Sequence, residues 1–183
     1  MRERLAYSDR ERSGRVHFRI WEVPGAECDV RSDPITGDLI LRHDSFLVSA
    51  MDAEESWLGL DRLLDQLCDS GKSIKLDLKS NGHLVEQALE FVGHYCFNDE
   101  RLWFDGNVEM LKEHGFRRLA EAHPGAILQC PVDFLGPLIC STEEKAREIL
   151  EMFTSWGVSR FSIGWAMPNM REVFEHRDDW GYR

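Results

Sequence analysis

The sequence predicts an α/β fold built on a mainly parallel sheet, and three observations predict it. From Ser73 onward, short apolar runs alternate with longer amphipathic stretches. Those stretches are long enough to be crossover helices, which parallel neighbours need because a tight turn cannot join them. No internal repeat or low-complexity tract argues for another architecture. A β/α barrel and a doubly wound sheet are the two candidates. At 183 residues and 43% hydrophobic, the chain supports one sizeable core. A single domain over residues 16–183 is the expectation.

Taken in order, residues 1–15 are rich in Arg, Glu and Ser, carry no apolar period and read as a mobile arm. Three extended runs follow at 16–23, 26–32 and 38–44, separated by Pro24-Gly25 and by the turn-forming Asp33-Pro34-Ile35-Thr36-Gly37. Between 53 and 70, Trp57, Leu60, Leu63, Leu64 and Leu67 fall at helical spacing, with Gly71 suited to the C-terminal cap. The βα alternation then reads as strand 74–78, helix 84–97, strand 101–104, helix 108–122, strand 126–132, helix 143–156 and strand 161–166. Ser141 or Thr142 can cap the last helix, whose first turn carries two glutamates suited to its positive end.

Charge and composition narrow the function. A formal charge of −11 argues against nucleic acid as a partner, since neutralising a long polyanion requires clustered Lys and Arg. A small anionic headgroup held at a metal stays open. Five scattered cysteines without a CxxC pair point to a reducing compartment rather than to zinc or a redox couple. The charged N-terminus lacks the apolar stretch of a secretory signal, and no run reaches the ~18 apolar residues of a transmembrane segment. The expected location is cytoplasmic.

In βα units, functional residues collect at the carboxyl ends of strands. Glu27 and Asp29 stand two apart, so a strand presents both on one face. Two adjacent carboxylates repel, and either a cation lies between them or the strand edge is wet. Asp77 sits near the end of the otherwise apolar IKLDLK, with Lys79 two positions on. Three such carboxylates suit an oxygen-only site for Mg2+ or Ca2+. The ordinary alternatives stay open: a solvated face for the Glu27–Asp29 pair, an internal ion pair for Asp77 and Lys79, and a capping role for His43. Asp105, Asn107, Gln129 and Asp133 flank later strand ends, where rim and capping chemistry look alike.

The run GAECDVRSDPITGDLILRHD resembles the signature of the glycerophosphodiester phosphodiesterase superfamily, with Gly25, Glu27, Asp29, Gly37, His43 and Asp44 at the matching places. LDRLLDQLCDSGKSIKLDLKS is similar to the helix and third barrel strand of that superfamily, ending in Asp77, Leu78 and Lys79. Aspartate as the third acid leans towards the menorin-like branch. LWFDGNVEMLKEHGFRRLAEAHPGAILQC and FSIGWAMPN resemble later strands and a helix, the last bearing Trp165. The resemblance spans roughly residues 25–168.

It implies a TIM-type β/α barrel in a shortened form, since neither a first strand nor a last unit is evident. It also implies a phosphodiesterase acting on a small glycerophosphodiester or a related phospholipid headgroup. Glu27, Asp29 and Asp77 would hold the metal, Lys79 would offset negative charge on the phosphoryl group, and His43 would move a proton. Lys79, Trp165 and Asn107 would meet the substrate. The superfamily's other histidine belongs one βα unit before the Glu-x-Asp pair. The upstream candidate is His17, but Glu27 follows it by only ten positions, too few for a crossover helix. The alternative is therefore a degenerate relative that binds a phosphate-containing ligand or acts as a scaffold. A homo-oligomer completing the barrel is the expected partner arrangement.

Overall fold

A computed structural model of the chain describes residues 25–48, 57–95 and 97–164. Among them six strands form one sheet in the order β2-β1-β3-β4-β5-β6. The strands are β1 (Gly25–Ser32), β2 (Leu39–Leu41), β3 (Ser73–Leu78), β4 (Leu102–Asp105), β5 (Ile127–Pro131) and β6 (Arg160–Ser162). β2 runs antiparallel to β1, and every other pair is parallel. The helices are α1 (Leu60–Cys68), α2 (His83–His94), α3 (Val108–Ala122), α4 (Gly136–Ser141) and α5 (Glu143–Ser155).

The strand order tells against a doubly wound sheet. β1, β3, β4, β5 and β6 lie side by side in chain order without a reversal, whereas a doubly wound sheet reverses at a switch point. Right-handed crossovers along such an order set the helices on one side of the sheet. The winding is singly directed, but the described sheet is open, with β2 and β6 as its edges. Among the described residues the fold is thus a mixed α/β one with an open, mostly parallel sheet of six strands, and closure into a barrel is not seen among them.

Strand alternation divides the sheet into two chemically distinct faces. Val30, Ile74, Leu76, Leu78, Leu102, Phe104, Leu128 and Cys130 are buried on the helix side. They join Leu63, Leu64 and Leu67 of α1, Ala88 and Val92 of α2, Phe116 and Leu119 of α3, and Leu150 and Phe153 of α5 in one core. The intervening residues, Glu27, Asp29, Lys75, Asp77, Trp103, Asp105 and Gln129, occupy the opposite face.

Local chemistry explains where elements start and stop. Asp33 shapes the β1–β2 turn by accepting from the N–H of Ile35 and Thr36 at 2.7 and 3.1 Å, and Gly37 supplies the left-handed φ of 79° that the turn needs. A Cβ on Gly25 would stand 2.6 Å from the Ser73 carbonyl oxygen, so only glycine lets β1 approach β3 so closely. Arg101 closes the C-terminus of α1, donating to the carbonyls of Leu67, Cys68 and Lys72 at 3.0, 3.2 and 2.9 Å.

Several expected boundaries move. β2 is shorter than 38–44 because the chain turns after Arg42, and α1 begins at Leu60 rather than 53. α2 stops at His94, where Tyr95 turns extended. The helix α4, with Pro137 in its first turn, was not expected from apolar periodicity, being too short to show one. Thr142 stands at the N-cap of α5 without a side-chain capping bond, and Ser141 Oγ instead donates to the Pro137 carbonyl at 2.7 Å. The arm at 1–15, the run at 16–23, His17 and Trp165 lie outside the described residues.

Candidate functional site

Parallel register aligns the acids. Asp29 pairs with Asp77, Asp77 with Asp105 and Asp105 with Gln129, so one polar row crosses four neighbouring strands. One rung nearer the strand starts lies Glu27, beside Lys75 and Trp103. Lys79 follows the end of β3, where its N–H donates to the Val30 carbonyl at 3.1 Å and continues the ladder. Alternation therefore brings Lys75, Asp77 and Lys79 to one face of β3.

Two ammonium groups tie these acids together. Lys79 Nζ lies 2.7 Å from Asp29 Oδ1 and 2.5 Å from Asp77 Oδ2. Lys75 Nζ lies 2.6 Å from Asp105 Oδ2 and 3.0 Å from Glu27 Oε1. Gln129 Nε2 donates to the same Asp105 oxygen at 2.8 Å. Trp103 is flanked by cations, with Lys75 Nζ 5.2 Å and Arg160 Cζ 4.5 Å from its ring centre.

Burial and charge set the proton affinities. Burial pushes the Asp77 carboxyl above its ordinary value; the Lys79 hydrogen bond opposes this, while the carboxylates of Asp105 and Asp29 add to it. Burial alone would lower both lysines, but hydrogen bonds from Lys79 to Asp29 and Asp77, and from Lys75 to Asp105 and Glu27, outweigh it and hold both ammoniums above their usual range. Burial likewise drives the Cys28 thiol well up, and Asp29, Asp77 and Glu27 raise it further.

The other candidates take different partners. His43 follows β2, exposed, with Nδ1 2.8 Å from Asp44 Oδ1, while its carbonyl accepts from Arg31 at 2.8 and 3.1 Å. Asn107 caps α3, its side chain accepting from the Met110 N–H at 3.0 Å. Asp133 accepts from the Gly164 N–H at 2.5 Å. Lys75 was missed by sequence reasoning, although its alternation with Asp77 and Lys79 was the available signal. Asp105 and Gln129 were noticed, but nothing in the sequence joined them to the acids of the other strands.

The acids offer the oxygen atoms that a hard divalent cation takes, but among the described residues they are not gathered around one point. Every candidate ligand is a carboxylate oxygen, and the four acids outnumber the two lysines that tie them. Asp105 Oδ1 is buried without a hydrogen-bond partner. Asp29 and Asp77 both reach one positive centre, the Lys79 ammonium. Glu27 turns instead to Lys75. No group of three or more His, Cys, Asp or Glu among the described residues is arranged to hold a metal ion.

No helix among the described residues is long and apolar enough to cross a membrane. No family model matches the chain, and no curated protein matches it. Among solved structures, the chain is similar to a "putative glycerophosphodiester phosphodiesterase" from Galdieria sulphuraria, at 14% identity and a TM-score of 0.46, over 87% of this chain and 79% of that one.

Proposed function

We propose that this chain is a divalent-metal-dependent phosphodiesterase acting on a glycerophosphodiester or a related phospholipid headgroup, nearest the menorin-like branch of the glycerophosphodiester phosphodiesterase superfamily. The observation that carries this reading is the convergence of Asp29 and Asp77, from neighbouring strands, on one cationic centre. Glu27, Asp29 and Asp77 would hold Mg2+ or Ca2+. When bound, such a cation offsets the carboxylates, which would otherwise repel a phosphodiester, and polarises its phosphoryl oxygens.

The chain's own residues take the remaining roles. Lys79, displaced from between the two aspartates by the cation, supplies a positive charge against charge developing on the phosphoryl group. His43, with Nδ1 bonded to Asp44, keeps Nε2 for moving a proton, and His17 is the candidate for the second histidine. Trp165 would stack on the headgroup. The amide nitrogen of Asn107 stays available to substrate while its oxygen caps α3. A second copy of the chain would complete the open sheet.

One observation favours a second reading. Lys75 and Lys79 already bridge the acids in pairs, as they would in a degenerate relative that keeps the sheet as a scaffold. Hydrolysis of a panel of glycerophosphodiesters and lipid headgroup diesters, with Mg2+, Ca2+ or chelator, separates the two. Metal-dependent turnover lost in Asp77→Ala supports the enzyme. Turnover indifferent to metal, or absent from the parent, overturns it.

A further inference from the structure

The polar row does not end at Gln129. Gln129 pairs with Arg160 at the start of β6, so parallel register carries the row onto a fifth strand and sets a guanidinium at its end. Arg160 is exposed, yet its side chain does not simply run out into solvent. Its Cζ lies 4.5 Å from the centre of the Trp103 ring, although Trp103 belongs to β4, two strands away and about 10 Å between backbones. The side chain therefore reaches back across β5 towards the acids, as Gln129 does when it donates to Asp105. Attraction to the ring holds the positive charge in place without giving its N–H groups an oxygen acceptor. Lys75 and Lys79 each hold two carboxylates, whereas Arg160 has no acid and no hydrogen-bond acceptor among the described residues.

We propose that Arg160 is a specificity-determining residue that receives a carboxylate on the headgroup of the bound diester. The inference rests on the phosphodiesterase reading above and deepens it by naming the headgroup class. Register sets Arg160 level with Asp77, the acid that Lys79 holds, and Trp103 belongs to the strand beside it, so one small molecule can span from Lys79 to the guanidinium. A guanidinium presents paired N–H donors that match the two oxygens of a carboxylate, and the contact reads orientation as well as charge. The acids of the row repel an anion that lacks such a partner, which makes the arginine the condition for accepting one. A headgroup that carries an ammonium and no carboxylate leaves Arg160 unused. Because Arg160 is already seated over Trp103, the contact needs no cation at the acids.

The test is calorimetric titration of the full chain, Arg160→Gln and Arg160→Lys with glycerophosphoserine and with glycerophosphoethanolamine, which differ by one carboxylate. The titrations are run in chelator, and circular dichroism confirms the fold of each variant. The expected result in the parent is an affinity for the serine diester about tenfold or more above that for the ethanolamine diester, the scale of one charge-assisted contact. In Arg160→Gln the two affinities are expected to become equal. Arg160→Lys keeps the charge and loses the fork, so it is expected to keep only part of the preference, and it decides the matter should Arg160→Gln fail to fold. Full parental preference in Arg160→Lys overturns the forked contact. Equal affinities in the parent, or a preference that survives in a folded Arg160→Gln, overturn the inference and leave the phosphodiesterase reading standing. A parent that binds neither diester in chelator overturns it as well, whereas the phosphodiesterase reading falls only with the hydrolysis panel above.

Discussion

Asp29 and Asp77, side by side on parallel strands, grip the same ammonium: Lys79 Nζ is 2.7 Å from one and 2.5 Å from the other. Lys79→Met leaves two carboxylates facing each other on a half-buried surface. Breaking a fully buried pair from one side costs about 3–5 kcal/mol, and the partial exposure here scales the expected loss to about 1–3 kcal/mol. Urea denaturation in chelator measures it. Adding Mg2+ or Ca2+ is expected to recover more stability in the variant than in the parent, because the cation then takes over the vacated role. Equal responses in the two proteins would contradict a shared cation position.

Arg101 ties the end of α1 to the start of β3 through three backbone carbonyls, and its guanidinium lies 4.7 Å from the centre of the Phe97 ring. Arg101→Met keeps much of the apolar contact and removes the donors. Charge-assisted bonds of this kind contribute about 1.5–3 kcal/mol each at most, and the carbonyls regain some water, so the expected net loss is about 2–3 kcal/mol. Urea titration monitored by circular dichroism gives the value; a loss below about 0.5 kcal/mol would mean that the helix end needs no such closure.

A hydrogen bond from His123 and another from the Gly125 N–H hold the Asp99 carboxyl below its ordinary 3.8, while partial burial opposes them. A depressed folded value means that the stabilisation is present above the unfolded pKa and is lost as pH falls through the folded one. Melting temperatures measured from pH 6 down to pH 2 are therefore expected to fall more steeply below about pH 4 in the parent than in Asp99→Asn. Parallel curves would contradict the coupling.

The α/β class was legible because apolar runs of strand length and of helix length alternate from Ser73, and α3 runs over 108–122 as its periodicity predicts. The singly wound order was not, since barrels and open sheets share the same local alternation and differ only in which edges meet. At the site, the strand period alone puts Glu27 with Asp29, and Lys75 with Asp77 and Lys79, on common faces. Pairing between strands is a different matter. Nothing within β4 or β5 announces that Asp105 stands level with Asp77 or that Gln129 stands level with Asp105, because register is fixed by the packing of the helix-side core. The ion pair of Asp77 with Lys79, one of the ordinary readings of that spacing, is present, and it extends to Asp29 from the neighbouring strand.

On the proposed reading, a divalent cation and the Lys79 ammonium compete for the same two carboxylates. Anomalous diffraction from crystals soaked in MnCl2 tests it most directly. The expected result is an anomalous peak within coordination distance of both Asp29 and Asp77, with Lys79 Nζ displaced from between them. Density that leaves Lys79 bridging the two aspartates, with no peak beside them at saturating Mn2+, would contradict it.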